Sequence, residues 1–338
     1  MHILVTGGLG FIGSNFVRHV LRAREWSITN LDLQTYAGNP ANLRDCETDP
    51  RYRFVRGDIA DPATVQPLMD AADVVVHFAA ETHVDRSIHD GQAFVRTNVV
   101  GTQVLLEAAR RAGVRCFCHV GTDEVYGSIE AGASIETDAL LPNSPYAASK
   151  AAADLLVRAY HATHGVPAIV TRCSNNFGPY QFPEKAIPLL ITNAMEDKPF
   201  PLYGDGRQVR DWLYVEDHAD ALVFLLEHGR PGEIYNIGGT CALPNHELVA
   251  KILDGMGKPR ALIRRVPDRP AHDRRYAVNC DKLRALGWRP RTQFEAALRD
   301  TIHWYEQHAE WWRPLKGEEM FTRYYERQYA ARLAEGSQ

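Results

Sequence analysis

Thr6-Gly-Gly-Leu-Gly-Phe-Ile-Gly13 decides the fold. It follows an apolar run, residues 3–6, and precedes a helix-like stretch, residues 14–23. Gly8, Gly10 and Gly13 fit the spacing GxGxxG, and Gly7, Gly10 and Gly13 fit GxxGxxG. Glycines here let the backbone turn tightly and approach a pyrophosphate. The helix start that follows offers unpaired N–H groups and the positive end of a dipole. Strand, glycine turn and helix in that order open a βαβ unit, which a lone motif match would not establish.

Working outward, five more apolar runs follow, at residues 27–31, 52–55, 74–78, 116–120 and 168–172. They are rich in Val, Ile and Phe and mostly apolar throughout, which suits parallel strands buried on both faces. Helix-like stretches such as 101–112 separate them. This rhythm predicts an α/β fold, a doubly wound parallel sheet of Rossmann type with right-handed crossovers. From about Tyr180 prolines and glycines cluster, and helices are expected to thin out. Residues 1–179 are therefore read as the dinucleotide domain, with some later segments returning to it. Residues 180–338 are read mainly as a smaller C-terminal substrate-binding lobe, with a polar, frayed end at 330–338.

The bulk numbers agree and exclude several classes. A chain of 338 residues has room for two domains at ~150 residues each. With 45% apolar and 24% charged residues it is neither disordered nor fibrous. A net charge of −4 gives no basic surplus for nucleic acid. The six cysteines form no CxxC pair and read as buried thiols of a reducing cytosol. No HExxH-type pattern or Cys/His cluster suggests a metal. Met1 leads straight into His2-Ile-Leu-Val5 with no basic leader, so a cytoplasmic protein is expected. The longest apolar stretches, 74–80 and 221–226, are far short of a membrane span.

Several side chains carry chemistry. Asp32 ends the second strand, where a carboxylate can accept hydrogen bonds from the adenosine ribose. No basic residue follows until Arg44, so NAD is favoured over NADP. Asp58 is placed for the adenine end. Tyr146-Ala-Ala-Ser-Lys150 opens a helix, and its i, i+4 pair shares a face, so the ammonium is expected to lower the phenol's pKa. The fifth strand ends in Val120-Gly-Thr-Asp-Glu-Val-Tyr-Gly127, placing Thr122, Asp123 and Glu124 at the site mouth. Adjacent carboxyls in a cleft can become one acid and one base. Taking a proton from C5 of a sugar while protonating the C6 hydroxyl needs both.

These stretches, with Asn143-Ser-Pro-Tyr146, Thr171-Arg-Cys-Ser-Asn-Asn-Phe177 and Tyr203-Gly-Asp-Gly-Arg-Gln-Val-Arg-Asp-Trp212, resemble the extended short-chain dehydrogenase/reductases. Within them the chain is most similar to the dTDP-glucose 4,6-dehydratases over roughly residues 1–315. The resemblance implies an NAD-dependent hydro-lyase acting on a nucleotide-diphosphate glucose. Tyr146, Lys150 and Thr122 would serve C4 oxidation, Glu124 would take the C5 proton, and Asp123 would protonate the departing 6-hydroxyl. It implies that Gly7, Gly10, Phe11, Ile12, Gly13, Asp32, Thr35, Asp58, Ile59, Ala79, Ala80, Thr82, Thr97, Tyr146, Lys150 and Asn176 contact the cofactor. Thr82, Thr122, Asn175, Glu184 and Lys185 would line the sugar. Arg210 would hold the diphosphate, and Pro201, Tyr203, Asn245, His272 and Tyr276 would lie along the nucleotide. A homodimer is implied through helices flanking the sheet. The chain departs from the family's pattern at Gly121, Phe177 and Ala271. Plainer readings stay open. Arg210 with Asp211 could be a surface ion pair, Glu184-Lys185 a solvated helix start, and His83, Asp85 and Arg86 a structural network. A sugar-nucleotide 4-epimerase or UDP-glucuronate decarboxylase would share Tyr146 and Lys150 without needing the Asp-Glu pair. A catalytically dead NAD-binding protein would need none of the five.

Overall fold

The computed structural model describes residues 1–238, 241–268 and 272–330. Alternation along the strands sends neighbouring side chains to opposite faces. Ile3, Val5, Val76, Cys118 and Ile169 join one core, while Leu4, Val75, Phe117 and Val170 join the core on the other face. That double burial is why the runs are apolar at every position.

The strands are β1 (His2–Thr6), β2 (Ser27–Asp32), β3 (Tyr52–Arg56), β4 (Val74–His77), β5 (Cys116–Thr122) and β6 (Ala168–Cys173). After them come β7 (Asn175–Phe177), β8 (Phe200–Tyr203), β9 (Val209–Tyr214), β10 (Ile234–Ile237), β11 (Ala242–Pro244) and β12 (Ile263–Val266). Seven form one parallel sheet in the order β10-β6-β5-β4-β1-β2-β3. The order reverses at β1 and β4, which opens a crevice beyond their carboxyl ends. β3 departs from the expected double burial: it is the edge, and Arg53, Phe54 and Arg56 are exposed.

Helix starts differ from the sequence reading for local reasons. The first helix, Phe11–Ala23, begins directly after Gly10 rather than at residue 14. The stretch Val95–Gly101 is π-helical, and the α-helix expected from residue 101 continues from it as Thr102–Ala112. The Tyr146 helix, Pro145–His164, starts sharply because Ser144 accepts from the Ala147 N–H and Pro145 takes the first turn.

Beyond residue 180 helices do not thin out. Ala186–Met195, Asn245–Gly255, Phe294–Gln307 and Ala309–Gly317 surround a core containing Phe177, Trp212, Tyr305 and Trp312. Pro188 is no obstacle, because it stands in a first turn where the missing N–H is not needed. Two small sheets complete this part, β11-β9-β7 and β12-β8. The segment between β9 and β11 returns to the large sheet: the helix Val215–His228 packs on the first helix, and β10 pairs with β6. Trp311 Nε1 donates to Asn42 Oδ1 at 2.9 Å, tying the C-terminal helices to the first half. The expected frayed end at 331–338 and Ala271 lie outside the described residues.

Candidate active site

One cavity lies beyond the carboxyl ends of β1, β2, β4, β5 and β6. Every predicted cofactor residue and all five predicted catalytic residues line it. Glu81, Cys173, Ser174, Gln181 and Phe182 line it too, and the sequence did not single them out.

The glycine turn shapes one end. At Gly13 a Cβ would stand 2.3 Å from the Gly7 carbonyl oxygen and 2.8 Å from the Gly8 Cα, so the turn closes only on glycine. At Gly10 a Cβ would meet only the Gly7 oxygen, at 3.3 Å, and would otherwise enter the cavity. Gly10 caps the first helix with no side chain, and no acidic residue occupies the first turn, which leaves N–H groups and the dipole for an anion. Asp32 accepts from Leu9 N at 3.0 Å and Gln34 N at 2.8 Å. Each carboxylate oxygen keeps a lone pair for a ribose hydroxyl. Asp58 is held by Arg96 Nη2 at 2.6 Å. These residues fit a dinucleotide without a 2′-phosphate. Gly13→Ala should cost about 1–3 kcal/mol of stability through overpacking. Gly10→Ala should keep the melting temperature and lose bound nucleotide. Thermal unfolding, with nucleotide released by acid and counted, separates the two.

The chemical groups meet at the other end. Thr122 caps the turn after β5, accepting from Glu124 N at 3.3 Å. Its hydroxyl lies 3.4 Å from Asp123 Oδ1 and is hydrogen-bonded to the Tyr146 phenol. Asp123 is buried, and its Oδ2 finds no hydrogen-bond partner among the described residues. Burial, with the charges of Glu124 and Asp211 added, pushes this carboxyl well above the usual range. The shift favours the protonated form, the form that can donate.

Lys150 departs from the sequence expectation. Its Nζ donates to the Val120 carbonyl at 2.8 Å. Burial lowers its pKa to about 8. The Tyr146 phenol is not lowered but pushed well up, by burial first and then by Glu124. Desolvation of the phenolate outweighs the ammonium one turn away.

The predicted substrate residues divide into two groups. Thr82, Thr122, Asn175, Glu184 and Lys185 line the cavity. Glu184 is buried, holds Arg86 Nε and Nη2 at 3.1 and 2.9 Å, and is bonded by the Tyr36 phenol. Lys185 Nζ reaches the Thr82 carbonyl at 3.3 Å. This pair is thus no solvated helix start. Pro201, Tyr203, Arg210, Asn245, His272 and Tyr276 lie outside the cavity lining. Arg210 is buried, stacks 4.4 Å over the Tyr276 ring and donates to the Val209 and Asp273 carbonyls at 2.8 and 3.0 Å. Asp211 is buried as well, which removes the surface-pair reading. Arg210 acts on the charge of Asp123, and Glu124 on that of Tyr276, so both adjoin the mouth. The Tyr203 and His272 rings pack edge to face at 5.8 Å. Asn245 opens the helix Asn245–Gly255. Asp85 accepts from Tyr324 at 3.2 Å and Gln328 at 3.0 Å, as a structural network does.

Comparison with known proteins agrees with this geometry. The family model for GDP-mannose 4,6 dehydratase matches residues 4–301. A dTDP-glucose 4,6-dehydratase of Streptomyces antibioticus is 54% identical over 94% of this chain and 96% of its own length. One from Escherichia coli is 47% identical over 92% of this chain and 95% of its own. The solved Streptomyces venezuelae dTDP-glucose 4,6-dehydratase with NAD bound superposes with a TM-score of 0.92 at 50% identity, covering 94% of this chain and all of that one. With half its residues shared over nearly its full length, the chain belongs to the dTDP-glucose 4,6-dehydratase family.

Proposed function

We propose that Thr122, Asp123, Glu124, Tyr146 and Lys150 convert dTDP-glucose to dTDP-4-keto-6-deoxyglucose and water, a step of deoxysugar biosynthesis. The observation that carries this assignment is Asp123. A buried carboxyl shifted toward its protonated form, with one oxygen that has no hydrogen-bond partner among the described residues, suits an acid for a leaving hydroxyl. Oxidation and re-reduction at C4 alone, as in an epimerase, would not use it.

NAD, when bound, supplies a hydride acceptor that later returns the hydride, and a positively charged ring beside Tyr146. The Tyr146 phenol, raised by burial, is favoured as its phenolate by that ring charge and by the Lys150 ammonium one turn away. As the phenolate, hydrogen-bonded by Thr122, Tyr146 takes the C4 hydroxyl proton. The resulting 4-ketone acidifies C5–H. Glu124 then takes the C5 proton, and Asp123 gives its proton to the 6-hydroxyl, which leaves as water. At the end Glu124 returns a proton to C5, and the proton gained by Tyr146 passes to Asp123 by way of the Thr122 hydroxyl that adjoins both, which resets the pair. Glu184, fixed by Arg86 and Tyr36, and Lys185 hold the sugar hydroxyls. Arg210, whose planar fork suits a diphosphate, holds the nucleotide with Tyr276, His272, Tyr203, Pro201 and Asn245 on the second lobe.

The chain works as a homodimer in the cytoplasm. Val95, Val100 and Leu155 are exposed at 53, 46 and 54% on the adjoining segments Val95–Gly101 and Pro145–His164, an apolar face for a second copy. Ala147, Ala151 and Ala153, by contrast, are buried within the chain. All six cysteines are free, in keeping with a reducing compartment.

Incubation with dTDP-glucose and with UDP-glucose, without added NAD, followed by mass spectrometry tests the reaction. Loss of water from dTDP-glucose is expected. An unchanged mass with a new stereoisomer would replace this reading by the epimerase.

A further inference from the structure

A lysine buried as deeply as Lys150 loses its proton unless an opposite charge holds it. Its hydrogen-bond acceptor, the Val120 carbonyl, is neutral. The helix Pro145–His164 carries Tyr146, Lys150 and Asp154 at i, i+4 and i+8, one stripe on one face. Asp154 is 2% exposed. Arg172 Nε of β6 donates to its Oδ2 at 2.8 Å, and His119 Nε2 of β5 stands 3.3 Å from its Oδ1. The strand position next to Val120 is Gly121, where a Cβ would lie 3.0 Å from Asp154 Oδ1 and 2.6 Å from the Thr171 carbonyl. The carboxylate thus sits beneath β5 at the level where Lys150 bonds Val120.

We propose that Asp154 is a positioning residue, the buried counter-charge that keeps Lys150 an ammonium against the Val120 carbonyl while Tyr146 exchanges its proton. This rests on the reading of Tyr146 and Lys150 given above. The other groups facing Lys150 carry no such charge. His119 on β5 and His77 on β4 are buried and pushed down, so both are neutral at pH 7. Burial pushes the Cys173 thiol of β6 up to about 12. Burial pushes the phenol of Tyr146 on the same helix up, so before NAD binds it adds no negative charge of its own. Burial also works against the Asp154 charge, but the contacts with His119 and Arg172 outweigh it and hold the carboxyl below its usual range. Arg172 anchors the carboxylate from the far side, continuing through Tyr126 at 2.9 Å to Asn236. A misplaced or protonated Asp154 would leave Lys150 to lose its proton at lower pH.

The test is the pH profile of dTDP-glucose turnover at saturating substrate, with wild type measured first. In Asp154→Asn the alkaline limb should move about one pH unit downward, a roughly fivefold loss at pH 8 that approaches tenfold above pH 9, with the acid-side plateau nearly kept. Asp154→Glu should restore the limb. A lower rate at every pH with the limb unmoved would overturn the proposal and mark Asp154 as structural. Removing one partner of a buried pair can unfold a protein. The double variant Asp154→Asn, Arg172→Gln replaces the pair by two amides, and it must move the limb in the same direction. Wild type that never dehydrates dTDP-glucose would overturn the reading of the site itself, a result distinct from an immobile limb.

Discussion

Replacing Glu124 by Gln should leave an enzyme that oxidises dTDP-glucose at C4 yet slows water loss about a thousandfold, the scale of a lost general base. The amide keeps the shape and the turn, whose N–H is fixed by the Thr122 hydroxyl. It removes the carboxylate assigned to take the C5 proton, and burial together with the charge of Glu124 shifts its neighbour Asp123 toward the protonated form, a poor substitute base. A second effect adds to the first. After burial, the Glu124 charge is the chief cause raising Asp123, so the variant also relaxes the acid toward its ordinary range. Two readouts check this: mass spectrometry for dehydration, and wash-in of deuterium at C5 from heavy water. Both should fall together. Unchanged exchange at C5 would place the base elsewhere.

Tyr146→Phe stops the sequence one step earlier. The phenyl ring keeps the packing, including the edge contact with Phe94 at 6.3 Å. It removes the hydroxyl bonded to Thr122 and with it the acceptor of the C4 proton. Turnover should fall about a thousandfold or more. Unlike the Glu124 variant, this one should yield no C4 ketone, which quenching with borodeuteride would detect as label at C4. The melting temperature should hold. Label at wild-type levels would mean that another group takes the proton.

The sequence spoke clearly where one physical rule acted alone. Glycine spacing after a strand located the dinucleotide turn, because only a residue without Cβ closes it at Gly13. The helical i, i+4 spacing of Tyr146 and Lys150 and the place of Thr122-Asp123-Glu124 at the end of β5 were legible, and the structure brings the five to one cavity. Legibility failed where environments compete. The rule that a cation lowers a phenol's pKa was applied to Tyr146, but burial dominates there. Asp154 could have been found by extending the Tyr146–Lys150 spacing one more turn. Asn98, which clamps the Glu81 backbone at both ends and reaches Ser149 at 2.8 Å, gives no signal in sequence, since its role comes from a π-helical turn. The proline-rich second part was misread as poor in helix, because proline in a first turn starts helices as readily as it ends them.

The late arrival of β10 has a consequence during synthesis. Until residues 234–237 leave the ribosome, β6 offers its open hydrogen-bonding edge to any passing strand. At roughly 5–20 residues per second, the chain between the two strands takes several seconds to emerge. For that interval the nascent protein is a six-stranded sheet with an adhesive margin. Crowded overexpression should therefore fail through aggregation of unfinished chains rather than through weakness of the finished one.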